Sequence, residues 1–349
     1  MSSVSSHNAV AASFPVSSSW PALFSNVKDE LGALRSTSGL YRADRAKLRL
    51  TGSDRVRWLN GMITNNIRDL AQGHGVYAFL LNPQGHILGD LFAFQQGDSL
   101  LVDTDPQQLE KIQATFDHYI IMDDVEVSDI SSTTAAIGLT GPNSQAVLNA
   151  AGLTAPEMYP LQFSQVTLGG ISATLVRGVR PEYPSYELWM SPEHATNMLS
   201  LLQQSGATPV GQEALELYRI LLGAPRYGQD IRERDLPQET EQAQALNFNK
   251  GCYVGQEIVE RIRSRGNVHR KFTGFRISGA LPANGCKIQA QGKDVGEITS
   301  TAIIPGPQGD QAVALGYIRR ELSAPGKEVQ IGGTFALVAD LPFADLLNK

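Results

Sequence analysis

The stretch 271–349 constrains the fold more than any other part of this chain. It consists of short alternating segments, "FTGFRI", "KIQAQGKDVGEITST", "AVALGYIR" and "KEVQIGGTFALVAD", broken every eight to twelve residues by Gly and Pro. Short strands with turn residues at such intervals are typical of a small β-barrel. Because the preceding residues mix helical and strand patterns, the chain as a whole is predicted to be α+β with a C-terminal barrel.

Residues 21–135 predict a first lobe of strands and helices. "AKLRL" predicts a strand that ends at Thr51, after which Ser53 is expected to cap an amphipathic helix. Three further strands follow, joined by tight turns at 82–85 and 96–98, which is the pattern of a meander.

Residues 136–225 predict a second lobe in the same style, without a sequence repeat. A helix is expected at 144–151, then strands in "VTLGG", "ATLVRG" and "SYELWMS". The run "GQEALELYRILL" has apolar residues at core spacing and predicts a strong helix that ends before Gly223.

The composition indicates a globular protein and excludes several partner classes. The chain has 349 residues, of which 42% are hydrophobic and 18% charged, and a net charge of −6. This balance gives no global basic field that would draw the chain onto nucleic acid or an anionic membrane. No window approaches the roughly 18 to 20 apolar residues of a spanning helix. We therefore expect no direct nucleic-acid partner and no membrane partner.

The N-terminal residues and the cysteine count predict a cytoplasmic protein. The Ser-rich residues 1–20 lack the basic start and long apolar core of a secretory signal, and are expected to be a disordered tail. Cys252 and Cys286 are too few for a disulfide framework, and neither has a CxxC partner. The six histidines show no ligand spacing, so no metal site is predicted.

One of the two cysteines lies in the string "NKGCYVGQE", residues 249–257. The run after Gly255 predicts a helix, so Cys252 lies within about one turn of a helix N-terminus, where amides and the helix dipole favour a thiolate. Lys250 adds a positive charge, and Gly251 allows a tight backbone approach. Two interpretations remain open: a reactive centre formed by Cys252 and Lys250, or a small cysteine packed in a structural turn.

This string also carries a resemblance. "KGCYVGQE", followed by "RIRSRG" and preceded by "LPQE", resembles the signature of the YgfZ family, bacterial relatives of a mitochondrial iron–sulfur assembly factor. The motif residues are Lys250, Gly251, Cys252, Tyr253, Gly255, Gln256 and Glu257. A weaker similarity to the folate-dependent T-protein of the glycine cleavage system covers nearly the whole chain, in "PQGHILGDL", "YRILLGAPRYGQDI" and "VGEITS". It implies a T-protein-like ring of two α/β lobes and a C-terminal β-barrel. The segment 226–270 then returns to a central channel that binds tetrahydrofolate.

The same resemblance implies which residues hold folate. Glu187 falls where T-protein uses a glutamate to hold the pterin ring, and Tyr77 and Asp90 are the other folate-binding candidates. A carboxylate suits a pterin because it accepts two hydrogen bonds from the amino and N–H edge of the ring. If the signature motif acts on bound folate, Cys252 and Lys250 face the same cavity as Glu187.

Two departures separate the chain from T-protein. T-protein carries a paired Asp-Asp whose first member is its catalytic aspartate, whereas this chain has Gly89 and Asp90. The T-protein string Gly-Tyr-Thr-Gly-Glu is also absent, and Arg180 replaces its tyrosine. Since a glycine cannot hold an amine, folate binding is expected and aminomethyl transfer is not.

The main functional prediction is a tetrahydrofolate-binding protein that supports assembly or repair of iron–sulfur enzymes, with client proteins such as tRNA-modifying enzymes as partners. One cysteine cannot supply the four thiolates of a cubane cluster, so contact with clusters is expected to be transient. The alternatives are a folate-dependent aminomethyl transferase of the T-protein type and an interaction scaffold without ligand. A basic run is a candidate for the glutamyl tail of folate or an acidic partner surface; it comprises Arg261, Arg263, Arg265, His269, Arg270 and Lys271.

Overall fold

The computed structural model describes residues 20–154, 156–180, 183–266, 268–306 and 309–347. Over these residues the named strands form a five-stranded sheet, a six-stranded sheet and a closed six-stranded barrel. The predicted architecture of two mixed lobes and a C-terminal barrel is therefore confirmed. The predicted tail 1–20 lies, apart from Trp20, outside the described residues.

The first lobe is built on the five-stranded sheet. The chain enters through α1 (Val27–Ser36) and β1 (Gly39–Arg42). The lobe then comprises β2 (Ala46–Thr51), α2 (Arg55–Met62), β3 (Gly75–Leu81), β4 (Ile87–Gln95), β5 (Leu100–Thr104), α3 (Leu109–Tyr119) and β6 (Glu126–Asp129). The strand order is β3-β4-β5-β2-β6, with antiparallel neighbours throughout. The predicted meander is therefore present as β3, β4 and β5.

The start of α2 differs from the prediction. The helix begins at Arg55, with Asp54 as its N-cap. The backbone N–H and the hydroxyl of Ser53 both donate to Oδ2 of Asp124 at 2.8 Å. Ser53 therefore ties the turn before α2 to the loop before β6 and is not the cap of the helix. Such a contact across about 70 residues leaves no local signal in the sequence.

The second lobe is built on the six-stranded sheet. Its elements are β7 (Ala135–Thr140), α4 (Ser144–Ala150), β8 (Phe163–Leu168), β9 (Ile171–Arg177), β10 (Ser185–Met190), α5 (Ala195–Gln204) and β11 (Thr208–Pro209), followed by α6 (Gln212–Leu221). The strand order is β11-β1-β7-β10-β9-β8. β1 pairs parallel with β11 and antiparallel with β7. The second sheet thus takes a strand from the range 21–135, which the sequence assigns to the first lobe.

The signature segment, residues 226–270, links the first lobe to the barrel. It contains α7 (Gln256–Arg265). On the first-lobe side, Thr64 donates its hydroxyl to the carbonyl of Ala245 at 2.6 Å, and the amide of Asn247 donates to the carbonyl of Thr64 at 3.0 Å. On the barrel side, Arg232 forms an ion pair with Glu297 at 2.5 Å.

The barrel closes in the order β12-β15-β14-β13-β16-β17. Its elements are β12 (Arg270–Ser278), β13 (Lys287–Ala290), β14 (Lys293–Ile304), β15 (Gln311–Arg319), β16 (Glu328–Ile331) and β17 (Thr334–Ala339), followed by α8 (Ala344–Leu347). Phe275, Ile298 and Ile318 lie in the apolar interior. On the outside, Phe272 packs in a second apolar cluster with Leu31 of α1.

A central apolar cluster lies where the two sheets and the signature segment meet. Its aromatic members are Tyr77, Phe79, Phe94, Trp189 and Tyr253. The ring centroids of Phe94 and Trp189 lie 5.0 Å apart in an edge-to-face arrangement, a geometry that favours a fixed orientation of both rings. This cluster brings β3 and β4 of one lobe next to β10 of the other.

Candidate functional site

A cavity of about 190 Å³ opens between the two sheets, beside the central cluster. Strands of both lobes line it, with Phe92 and Phe94 from β4 and Glu187 and Trp189 from β10. Residues two apart on a strand point to the same face, so each strand presents a pair of side chains to the cavity. Arg177 and Tyr186 also line it.

Among the described residues, Glu187 is one of two acids that line the cavity, the other being Asp103. The indole N–H of Trp189 donates to Oε2 of Glu187 at 2.7 Å. Burial and, second, the nearby Asp103 carboxylate raise the pKa of Glu187, while Lys47, Arg45 and the Trp189 hydrogen bond oppose this rise. The carboxylate is therefore an acceptor at the edge of an aromatic cavity, and its role in holding a pterin stays a prediction.

A buried charge cluster next to Glu187 was not predicted. Lys47 and Asp103 are 1% and 2% exposed, and they face each other across the pairing of β2 and β5. Asp103 accepts hydrogen bonds from Nε of Arg45 at 2.5 Å and from Nζ of Lys47 at 3.1 Å. Nζ of Lys47 also lies 4.1 Å from the centroid of the Trp189 ring, within cation–π range. The sequence signal was a charge inside each of two apolar strands, "AKLRL" and "LLVDT".

Asp90 lies on the same face of β4 as Phe92 and Phe94, because it precedes Phe92 by two residues. Its Oδ2 accepts the hydroxyl hydrogen of Tyr77 at 2.7 Å, and its Oδ1 accepts from Nε2 of Gln108 at 2.7 Å. Arg45 lines the cavity. Burial would lower the pKa of Arg45, but the nearby carboxylates raise it, Asp103 most, then Glu187, and Asp90 least. Tyr77 and Asp90 are therefore held together by a hydrogen bond, and neither is among the described residues that line the cavity.

Gly89 faces the opposite side of the sheet. A Cβ at this position would lie 3.0 Å from Oε1 of Gln108 and 3.4 Å from Cγ1 of Ile112. Ile112 belongs to α3, which covers the outer face of the first sheet. The glycine therefore accommodates helix packing and removes no side chain from the cavity. The expectation that Gly89 excludes aminomethyl transfer consequently loses its structural basis.

The signature motif lies in a loop and the start of α7. Tyr253 is buried in the central cluster, whereas Gly251, Cys252 and Glu257 are exposed. Gly255 has a φ of 82°, and a Cβ there would lie 2.6 Å from the carbonyl oxygen of Asn82, so this position requires glycine. Gln256, half-buried, begins the helix.

In contrast to the exposed Cys252, Lys250 is withdrawn from solvent. Its side chain is buried, and Nζ donates to the carbonyls of Asn60 and Ile63 at 2.5 Å and of Asn65 at 2.8 Å. Burial lowers the pKa of Lys250 to about 7, with a smaller contribution from Arg68. The three carbonyl acceptors act in the opposite sense, because they stabilise the ammonium.

Neither Lys250 nor Cys252 is among the described residues that line the Glu187 cavity, in contrast to the expectation that all three face it. The proposed reactivity of Cys252 stays a prediction.

A second, polar cavity of about 430 Å³ adjoins the first. Both cavities are lined by Val179. Arg180 and Lys271 line the second cavity, where Lys271 is paired with Glu241 at 3.2 Å. Of the predicted basic run, Lys271 thus reaches a cavity next to Glu187, while Arg261 and Arg263 are exposed on α7.

The described ranges hold neither a candidate metal cluster nor a membrane-spanning helix. They contain no group of three or more His, Cys, Asp or Glu side chains placed to hold a metal ion. They also contain no helix that is both long and apolar enough to span a bilayer.

Known protein families match both the lobes and the barrel of this chain. The GCVT N-terminal domain matches residues 3–250, and the glycine cleavage T-protein C-terminal barrel domain matches residues 270–345. The aminomethyltransferase of Halothermothrix orenii is 26% identical over 327 residues, covering 90% of this chain and 89% of the relative. A putative chloroplastic transferase of Arabidopsis thaliana is 27% identical over 305 residues, covering 85% and 69%.

A solved structure shows the same fold. The aminomethyltransferase T of the glycine cleavage system from Bartonella henselae superposes with a TM-score of 0.79 at 22% identity, covering 91% of this chain and 89% of that one. The two domain matches together run through both lobes and the barrel. The chain therefore belongs to the family of the glycine cleavage T-protein, with its GCVT N-terminal domain and its C-terminal barrel domain.

Proposed function

We propose that this protein binds tetrahydrofolate in the Glu187 cavity and catalyses folate-dependent transfer of a one-carbon unit of the aminomethyl type. The observation that carries the proposal is the carboxylate of Glu187 in the aromatic cavity between the lobes, with Asp90 on the same face of β4 as the cavity residues Phe92 and Phe94. The family relatives named aminomethyltransferase support the same activity.

The residues of the cavity fit a pterin. Glu187 offers two acceptor oxygens to a ring edge that carries an amino group and an N–H, and Trp189 fixes the orientation of the carboxylate. Drug-sized ligands fill pockets of roughly 300 to 1,000 Å³, so a cavity of about 190 Å³ suits a bicyclic ring alone. The remainder of the ligand would extend past Val179 into the adjoining polar cavity, toward Lys271.

The catalytic group in this proposal is Asp90. Bound tetrahydrofolate supplies the nitrogen that accepts the one-carbon unit. A carboxylate beside it stabilises a cationic donor amine and accepts a proton as the transfer proceeds. Tyr77 and Gln108 hold one oxygen each, so Asp90 has a defined orientation before any ligand arrives.

Calorimetry with tetrahydrofolate and a turnover assay with an aminomethyl donor test the proposal. Glu187→Ala should weaken binding about tenfold, because loss of a carboxylate that pairs with buried donors costs about 1 to 3 kcal/mol. Glu213→Ala, at an exposed position of α6, is the matched control. Wild-type protein that binds no reduced folate would refute the proposal.

A second candidate is support of iron–sulfur enzymes, as the signature motif implies. The observation that favours it is the exposed Cys252 in a loop whose neighbours are fastened to the first lobe. Complementation of an iron–sulfur maintenance defect tests this function. Cys252→Ser should abolish most complementation while folate binding is retained, and full complementation would show that the cysteine has no such role.

A further inference from the structure

The side chain of Lys250 occupies a cage of main-chain oxygens. Its ammonium has three N–H donors, and the carbonyls of Asn60, Ile63 and Asn65 accept one each within 2.8 Å. The side chain is 6% exposed, and the acceptors lie 185 to 190 positions earlier in the sequence. All three donors are therefore used, and none remains for the thiol of Cys252.

These carbonyls belong to the end of α2 and the turn that follows it. The last four carbonyls of an α-helix have no partner within the helix. The carbonyl of Leu59 is taken by the amide of Ile63, and that of Gly61 by the amide of Val254. Lys250 takes the carbonyl of Asn60. The signature segment thus satisfies two of these four groups and forms the C-terminal cap of a helix in another lobe.

The cage continues toward Asp90 through hydrogen bonds. Asn65, whose carbonyl is bound by Lys250, donates its side-chain amide to the carbonyl of Tyr77 at 2.8 Å. The hydroxyl of Tyr77 in turn donates to Asp90 at 2.7 Å. The same amide of Asn65 also donates to the carbonyl of Gln244 at 2.8 Å, which fastens the signature segment to this chain of contacts.

We propose that Lys250 is a positioning residue: its ammonium fixes the turn after α2 and, through Asn65 and Tyr77, the orientation of Asp90. This role differs from activation of Cys252, for which the ammonium would have to face the exposed thiol. The part that concerns Asp90 rests on the proposed transferase function, whereas the cage itself does not.

Chemical rescue tests the cage. Lys250→Ala removes three carbons and the ammonium, which together correspond to propylammonium. Hydrogen exchange by mass spectrometry in residues 59–66 and 244–254 should accelerate at least about tenfold in this variant, and propylammonium should restore the wild-type rate. Tetramethylammonium cannot donate a hydrogen bond and should have no effect. Lys293→Ala, at an exposed barrel position, is the matched control and should exchange like wild type.

Two results would overturn the cage. One is wild-type exchange in Lys250→Met, which keeps the apolar stem of the side chain and loses its charge. The other is failure of propylammonium to slow exchange in Lys250→Ala. If Lys250→Ala does not fold alone, refolding yield in propylammonium against tetramethylammonium supplies the same comparison.

A double-mutant cycle tests the path to Asp90. Lys250→Met and Tyr77→Phe should each lower folate-dependent turnover, and the double variant should lose little more than the more impaired single variant, because both changes act on one chain of contacts. Multiplicative losses would overturn the path. If wild-type protein binds no tetrahydrofolate, the proposed function fails, but the exchange experiment still decides the role of Lys250 in the cage.

Discussion

The hydroxyl of Tyr77 donates a 2.7 Å hydrogen bond to Asp90, and the same carboxylate accepts from Gln108 on its other oxygen. Asp90 is thus held from two sides while its neighbour Gly89 packs against α3. Residues 89 and 90 are adjacent in sequence but lie on different faces of the sheet, and Asp90 is on the face from which Phe92 and Phe94 line the cavity.

We expect Asp90→Asn to lower aminomethyl transfer by at least about a hundredfold, in line with the loss of a positioned acid–base group, while tetrahydrofolate still binds. Turnover and calorimetry on the same preparations measure the two effects. Gly89→Asp is the control: it should destabilise the fold, because its side chain would meet Gln108 and Ile112, and it should not raise turnover. Increased transfer in Gly89→Asp would contradict the assignment.

Glu187→Gln should bind tetrahydrofolate about tenfold more weakly and yet unfold at a higher temperature. The pKa of Glu187 is raised in the fold, chiefly by burial, so the folded state disfavours its ionised form. The wild type therefore loses stability as the pH rises from the unfolded value near 4.5 through the raised folded value. Glutamine keeps an acceptor for Trp189 without the charge. Melting temperatures at pH 4 and pH 8 should differ between the two proteins only at pH 8, and a lower melting temperature for the variant there would contradict the argument.

Glu297 is expected to stabilise the docking of the barrel in a pH-dependent manner. It accepts hydrogen bonds from Lys287 and from Arg232 of the signature segment; these outweigh its burial and lower its pKa to about 2, from 4.5. Its stabilisation is complete above the unfolded pKa and is lost as the pH falls toward 2. Allowing for solvent screening of a side chain that is 20% exposed, Glu297→Gln should cost about 1 to 2 kcal/mol at pH 7.

Urea unfolding of Glu297→Gln and wild type at pH 7, 4 and 2 measures this difference. It should shrink with falling pH and become small near pH 2. A difference that stays constant over the whole range would show that the glutamate acts through packing and not through its charge.

Cys252 should react with iodoacetamide before Cys286. Cys252 is exposed in the signature loop, whereas Cys286 is half-buried at the start of a barrel strand and packs against the apolar interior. Alkylation followed by peptide mass spectrometry gives the two rates. Equal rates, or a faster reaction of Cys286, would remove the structural argument for a reactive thiol in the motif.

Local sequence patterns are sufficient to predict the helices, the strands and the barrel, because alternation, turn residues and helical periodicity are properties of neighbouring residues. The strand ending at Thr51 and the barrel strands "FTGFRI" and "AVALGYIR" fall where the sequence predicts them. The pairing of β1 with β7 joins residues about 100 positions apart, and Ser53 finds its partner in Asp124. Neither contact has a local signature.

The site was predictable to the extent that it resembles a known motif. Glu187, Tyr77 and Asp90 are the predicted folate-binding residues; Glu187 lines the cavity between the lobes, whereas Tyr77 and Asp90 are hydrogen-bonded to each other outside its lining, and their role stays a prediction. Lys47 and Asp103 escaped prediction because a charged residue in a strand is usually solvent-exposed, and burial of the pair depends on strand register. The orientation of Gly89 depends on register in the same way.

The path of β1 also has a consequence for the order in which the protein is made. About ninety residues separate the end of β1 from the start of β7. At a translation rate of roughly 5 to 20 residues per second, β7 is synthesised roughly 5 to 20 seconds after β1. In that interval the ribosome releases β2 to β6, and β2 and β6 pair directly. The first lobe is therefore an insertion between two strands of the second sheet: its own five strands are all synthesised before β7, and the second sheet can be completed only after β7 and the later strands have been made.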